Sequence, residues 1–422
     1  MVICKGKIIN IMERTTNFVD GRLIGHGKRV AYLVFKILKK IGVYTNEQLR
    51  DICVLAMLHD VGAYKKEEID VMVLPETVPA WEHAIYGYLF LKYFSPLQRL
   101  APAVLYHHAD CNEIDRIESS LRFLAQLMSI CDRADVFYCN NKNADDFREH
   151  IEANRGIKYE DSIVDMYIRS RVNIDSIYKG IDSNKEFERI LYKLPLTQTN
   201  ADEYIKMIIN TIDFRSKQTV IHTNTTACIA GMLSRWTGAG EKEIMSVKTG
   251  AMLHDIGKTG VPVHILESTG RLNVADMKIM RTHVEITEKI LEGNVSGDVM
   301  SMAIKHHERL NKSGYPNRLD ARDISTNDQI VTIADIFSAL CEPRSYNKAC
   351  QKERIIKIIS DLSTQNMIDP HIAAMTVDRF DELYSEAAIE SEKTLHSYHS
   401  LNNEFMQLIK GKKTVDNIKE SH

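Results

Sequence analysis

The sequence predicts an all-α protein made of two tandem helical domains. Three observations carry that prediction. Apolar residues recur at helical spacing over most of the chain. Runs with strand periodicity are sparse, and one ordered series of His and Asp residues occurs twice. The 422 residues suffice for two or three domains with ample core.

Residues 1–20 are mixed and read as a strand or a frayed lead-in. From 22 to 58, Val30, Leu33, Val34, Ile37, Leu38 and Ile41, then Leu49, Ile52, Val54, Leu55 and Leu58, mark two helices punctuated by Gly42 and Thr45. LHDVG follows, with His59 and Asp60. Residues 64–80 are charged, contain Pro75 and Pro79, and read as a loop. WEHAIYGYLFLKYF resumes a helix carrying His83, and Pro96 and Pro102 bracket a turn. The next helix ends in His107-His108, and the run 121–139 carries Asp132. Residues 140–156 are polar and read as a surface excursion, before a helical stretch at 161–193. LPLTQTNADE, with Pro195 and a Thr/Asn cluster suited to helix capping, marks a boundary between domains 1–195 and 196–422.

The same order then returns. Helices lead to His222 and to His254-Asp255, a further helix carries His283, the next ends at His306-His307, and a last one carries Asp335. The offset between the series is 196 at His26/His222, 195 at His59/His254, 200 at His83/His283, 199 at His107/His306 and 203 at Asp132/Asp335. Loop insertions produce such drift, so this is an internal duplication; two copies do not make a solenoid. The tail after about 385 is charged and helical, and its end, with Lys410, Lys412 and Lys413, is expected to fray. Its exposed face is a candidate homodimer element, although its charge favours a solvated face.

Composition excludes several classes. Apolar residues are 44%, charged residues 26% and the formal net charge −3, which points to neither a nucleic-acid polymer nor an anionic membrane. Eight scattered Cys without a CxxC fit reduced thiols and a cytoplasmic protein. No signal peptide, sensor domain or membrane-spanning apolar run is read from the sequence.

The histidines carry the chemistry: 10 of the 16 fall into the two series. Burying an imidazole beside a carboxylate is costly unless both are paired or bind a metal. A lone buried His is more often a satisfied core residue, but an ordered set that occurs twice is a poor product of chance. The C-terminal set is His222, His254, Asp255, His283, His306, His307 and Asp335; the N-terminal set is His26, His59, Asp60, His83, His107, His108 and Asp132. Seven N/O ligands suit two divalent transition metals per site, Fe, Mn, Ni or Zn rather than Mg, sharing one bridging carboxylate. Two ions about 3.5–4 Å apart can activate a hydroxide and stabilise charge on an attacked phosphorus.

HDIGKTGVP (254–262), then HHERLNKSGYP (306–316), then ADIFSALCEPRSY (334–346) resemble the HD-GYP subgroup of the HD-domain metal-dependent phosphohydrolases. The resemblance covers about residues 210–380. It implies a mostly helical hydrolase, a phosphodiesterase for the bacterial second messengers cyclic di-GMP or mixed cyclic GMP-AMP. It also implies that the seven C-terminal residues ligate metal, with Asp255 bridging. Lys258 would contact the scissile phosphate, Gly314, Tyr315 and Pro316 would shape the substrate loop, and Arg344 and Tyr346 would support it. Two departures stand out. Gln218 replaces the Glu of three-metal members, which favours a two-metal site and a linear dinucleotide product. Lys312 replaces a usual Gly of the loop, and either adds a phosphate contact, stiffens the loop or is a solvated charge.

The N-terminal copy resembles a plain HD domain. ADCNEIDR follows His107-His108 in place of a Gly-Tyr-Pro element, and Ala63 stands where the other copy has Lys258, with Lys65 and Lys66 nearby. It is either a second hydrolytic site or a regulatory and packing partner. Two other readings of the whole chain stay open: a nucleotidase working through this copy, and a non-catalytic cyclic-dinucleotide sensor.

Overall fold

The computed structural model describes residues 7–63, 81–114, 117–140, 143–172, 180–181, 183–213, 219–268, 270–341 and 348–419. Among them every regular element is a helix.

The chain opens with a helix, α1 (Lys7–Asn17), not a strand. Ile8, Ile9, Ile11 and Met12 are buried along it, a helical rather than alternating set. Next come α2 (His26–Ile41) and α3 (Asn46–Met57), which pack on each other. Gly42, at φ 74°, ends α2 in the left-handed conformation that glycine adopts without strain. Thr45 and Gln48 form a capping box that starts α3. There follow α4 (Trp81–Phe94), α5 (Ala101–Leu105) and α6 (Ser119–Cys139), with α6 against α2. The polar stretch read as a surface excursion holds a helix, α7 (Ala144–Ala153). Its two core residues, Phe147 and Ile151, are one turn apart and hidden in sequence among charges. The helix α8 (Asp161–Ser170) completes this set.

After α9 (Gln198–Asp213) the arrangement repeats: α10 (Thr219–Trp236), α11 (Glu241–Leu253), α12 (Val274–Leu291), α13 (Gly297–Lys305) and α14 (Thr326–Cys341). Helix α10 packs on α11 and α14 as α2 packs on α3 and α6. The chain closes with α15 (Lys348–Thr364), α16 (Pro370–Asp378) and the long α17 (Phe380–Lys419).

The described residues divide into two compact units, Ile208–Ser400 and those up to Met207 together with those from Leu401 onward. The division falls inside α9, which begins at Gln198, just after the Pro195 turn. The end of α17 belongs with the N-terminal unit for a chemical reason. Phe405 stacks on Tyr86 at 4.1 Å, and Glu404 accepts hydrogen bonds from Lys92 at 2.6 Å and Tyr93 at 2.5 Å. That stretch is therefore not a simple solvated face.

Two candidate metal centres

In each unit most of the His and Asp side chains gather where helices begin and end. His26 opens α2, and His222 lies in the first turn of α10. His59-Asp60 and His254-Asp255 follow the ends of α3 and α11; His107-His108 and His306-His307 follow α5 and α13. His83 and His283 project from α4 and α12, Asp132 and Asp335 from α6 and α14. Helix C-termini carry carbonyls without intrahelical partners and the negative end of the dipole, so they suit cations.

The imidazoles use backbone carbonyls, at a helix end in every case but His283. Nδ1 of His59, His107, His254, His283 and His306 each donates to the carbonyl three residues earlier, at 2.7, 2.5, 2.6, 2.6 and 2.8 Å respectively. A carbonyl only accepts, so the proton is on Nδ1 and the lone pair of Nε2 faces the centre.

One Asp in each centre divides its oxygens between two groups of imidazoles. Asp60 Oδ2 lies 3.4 Å from Nε2 of both His26 and His59, while Oδ1 lies 3.4 Å from His83 and 3.7 Å from His107. Asp255 Oδ2 lies 3.0 Å from His254 and 3.9 Å from His222, while Oδ1 lies 3.5 Å from His283 and 4.0 Å from His306. A second carboxylate joins the first group. Asp132 Oδ1 is 3.4 Å from His26, and Asp335 Oδ1 is 2.9 Å from His222. His108 Nε2 meets His83 Nε2 at 3.0 Å, and the His307 ring lies 4.0 Å from that of His306. All fourteen residues singled out in the sequence thus converge, seven in each unit.

The residues fit a divalent metal. Nε2 of His59, His107 and His254 and Oδ1 of Asp60 are buried without a hydrogen-bond partner, a costly arrangement that a cation resolves. Imidazoles with carboxylates suit first-row transition metals. Burial and neighbouring imidazoles hold His83 and His307 down to about 3, neutral and able to ligate. Burial works against a charge on His254, but Asp255 and Asp335 outweigh it and raise the pKa to about 9. Burial would also raise the Asp255 carboxyl, yet His254 and Lys258 hold it well below the usual range. A bound cation would dominate these balances.

What distinguishes the C-terminal centre lies around it. Lys258, on a short turn after the His-Asp pair, sits 2.5 Å from Asp255 Oδ2. The Tyr315 N–H donates to the His307 carbonyl at 3.2 Å, and its ring stacks on the His307 ring at 4.6 Å. The Tyr315-Pro316 peptide is cis. Gly314 is required by space: a Cβ there would lie 2.5 Å from both Arg309 N and Glu308 Cα. Lys312 adopts φ 66°, and its ammonium pairs with Asp320 at 3.0 Å. In the N-terminal centre the Lys258 position is the buried Ala63. Gln218, Lys65, Lys66, Arg344 and Tyr346 lie outside the described residues.

Four further residues escape a reading of the sequence. Asp135 Oδ2 accepts from His26 Nδ1 at 2.7 Å, and Arg29 clasps the same carboxylate at 2.7 and 2.9 Å. The corresponding C-terminal residue, Ser338, instead donates to the His222 carbonyl at 3.2 Å. The buried Arg133 lies 3.3 Å from Asp132 Oδ2. The fully buried Glu308 accepts from the backbone N–H of Asn317 at 2.7 Å and of Leu319 at 3.0 Å. The one available signal was spacing: Asp132 and Asp135 are one helical turn apart, as are His26 and Arg29.

Residues 23–136 and residues 206–372 each match the HD domain family. The chain belongs to the HD-domain family. It is similar to 3′3′-cGAMP-specific phosphodiesterase 1 of Vibrio cholerae, at 25% identity over 87% of this chain and 90% of that protein. It is also similar to 3′3′-cGAMP-specific phosphodiesterase 2 of the same organism, at 31% identity over 46% of this chain but only 38% of that longer protein. The fold of the HD-domain chain resembles the crystal structure of a cyclic GMP-AMP specific phosphodiesterase from V. cholerae, with a TM-score of 0.55 over 92% of this chain and 98% of that one, at 18% identity.

Proposed function

We propose that the chain is a metal-dependent phosphodiesterase that opens a cyclic dinucleotide to its linear form at the C-terminal centre. The observation that carries this reading is the joining of a seven-residue His/Asp centre to Lys258 on one side and Tyr315 on the other. A relative aligned over nearly the full length of both chains is named for 3′3′-cGAMP, which makes the mixed cyclic GMP-AMP the first substrate to test and cyclic di-GMP the second.

Two divalent transition metals per centre would be held in the C-terminal unit by His222, His254, Asp255, His283, His306, His307 and Asp335. Such metals, when bound, supply Lewis acidity and lower the pKa of water. The protein's own part is electrostatic and positional. Asp255 ties two imidazole groups together through its two oxygens. Lys258 places an ammonium beside that carboxylate, where it can donate to a phosphoryl oxygen as charge develops. Tyr315, anchored on His307, walls the site and orients the substrate. The N-terminal set would hold metal in the same way but lacks the lysine and the Gly-Tyr-Pro loop. We assign it a subordinate role toward cyclic substrates. Among the described residues no helix is long and apolar enough to cross a membrane, and six described cysteines are free thiols. Both agree with a cytoplasmic location.

Protein loaded with Mn or Fe, incubated with cyclic GMP-AMP, cyclic di-GMP and linear dinucleotides, decides the matter by chromatography. Linear dinucleotide from a cyclic substrate is the expected product. Binding without product would leave a sensor, and inorganic phosphate as the sole product would indicate a nucleotidase.

A further inference from the structure

A cavity of about 1130 Å³ opens beside the C-terminal centre, between the start of α12 and the Lys312–Arg318 loop. It exceeds the roughly 300–1,000 Å³ common for small-ligand sites. Its charged lining is one-sided: Arg271, Lys278, Arg281, Lys312 and Arg318 against Glu285 alone. Lys312 is neutralised by Asp320, but among the described residues Arg271, Lys278, Arg281 and Arg318 form no ion pair. A focused positive field of this kind draws an anion carrying more charge than one phosphodiester at the metals would use.

Tyr315 lines the cavity and also touches the centre. Its ring stacks on His307, and the Arg281 guanidinium lies 4.7 Å over the same ring. Tyr315 thus contacts both a member of the ligand set and a cation of the cavity wall. Arg281 sits two residues before His283 on α12. A guanidinium oriented by stacking loses little freedom on gripping a phosphate, and its fork matches phosphate oxygens. The same wall exposes Val274 (89%) and Met277 (36%), apolar faces on which a base can rest. The lip also bears strain. Lys312 holds a left-handed backbone that costs a non-glycine residue about 1 kcal/mol or more, and such strain collects at functional sites.

We propose that this groove is the subsite for the second nucleotide of the substrate, and that Arg281 receives the phosphodiester that is not being cleaved. A cyclic dinucleotide carries two phosphodiesters on opposite sides of one macrocycle. With one at the metals and Lys258, the other must lie outward, along this groove. The inference rests on the phosphodiesterase reading above and makes Arg281 a specificity-determining residue.

The test is steady-state kinetics of the full-length Mn-loaded protein on cyclic GMP-AMP and on bis(p-nitrophenyl) phosphate, a diester with no second phosphate. Arg281→Ala should raise KM for cyclic GMP-AMP about tenfold to a hundredfold, the worth of one charge-assisted hydrogen bond, with kcat within roughly threefold. The preference for cyclic GMP-AMP over the small diester should fall by the same factor, and Arg281→Lys should recover part of it. An unchanged KM in Arg281→Ala, or an equal loss on both substrates, overturns the subsite while leaving the phosphodiesterase reading intact. A wild-type protein that cleaves the small diester but not the cyclic dinucleotides overturns the phosphodiesterase reading and the subsite with it.

Discussion

Gly257 is pressed against His283: a Cβ on Gly257 would fall inside the contact shell of the His283 carbonyl oxygen and 2.6 Å from Thr287 N. Gly257 N also donates to Thr287 Oγ1 at 3.0 Å, and that hydroxyl donates to the His254 carbonyl at 3.1 Å. The turn after the His-Asp pair is thereby fastened to α12. Gly62 stands in the same relation to His83, with Gly87 N only 2.5 Å from its missing Cβ. Gly257→Ala should force α12 away from the centre, cost about 1–3 kcal/mol and strip metal from the C-terminal unit alone. Gly62→Ala should do so in the N-terminal unit alone. Metal stoichiometry of the two purified variants checks this, and equal metal loss from both units in either variant would refute it.

Asp255 and Lys258 touch but should fail differently. Asp255→Asn removes the carboxylate shared by two imidazole groups, so metal content and turnover should both collapse while the helical circular dichroism persists. Lys258→Ala should keep the metals and lower kcat roughly a hundredfold, the scale of losing one preorganised charge donor. Full activity in metal-loaded Asp255→Asn, or loss of metal in Lys258→Ala, would contradict these roles.

Asp135 separates the two centres. It holds Nδ1 of His26, and Arg29 holds it, whereas the C-terminal counterpart is Ser338. Outer-shell carboxylates of this kind fix ligand orientation and basicity. Asp135→Asn should weaken metal binding in the N-terminal unit about 10- to 100-fold and leave C-terminal turnover on cyclic GMP-AMP alone. Titration with a competing chelator measures the first, and steady-state kinetics the second. Equal weakening of both centres would be inconsistent with this assignment.

The sequence made the helical class and both ligand sets legible because each rests on local pattern: period 3.6 for the helices, and His or Asp types at offsets that duplication preserved. It missed α7 because Phe147 and Ile151 sit alone among charged neighbours and become a core only when α6 covers them. It missed the placement of the end of α17 because a charged helix reads as solvated until Tyr86 and Lys92 are seen beneath it. Asp135, Glu308 and Arg281 escaped for a shared reason. Each acts through a residue distant in sequence (His26, the Asn317–Leu319 backbone, Tyr315), and no local rule links them.

Glu308 brings the loop itself under test. Its carboxylate is fully buried and binds the N–H groups of Asn317 and Leu319, just past Tyr315-Pro316. Hydrogen bonds to a charged acceptor are worth about 1.5–3 kcal/mol each, and an unpaired buried donor adds its own cost. Glu308→Gln keeps the size but turns one acceptor into an NH₂ that faces an N–H. The loop should then loosen around Tyr315 while the ligand set stays filled, because the Glu308 carboxylate bonds the Asn317 and Leu319 backbone. We expect a KM for cyclic GMP-AMP raised about tenfold, unchanged metal content and a Tm lowered by several degrees. A lowered Tm with unchanged KM would show that Glu308 braces the fold without shaping the substrate site.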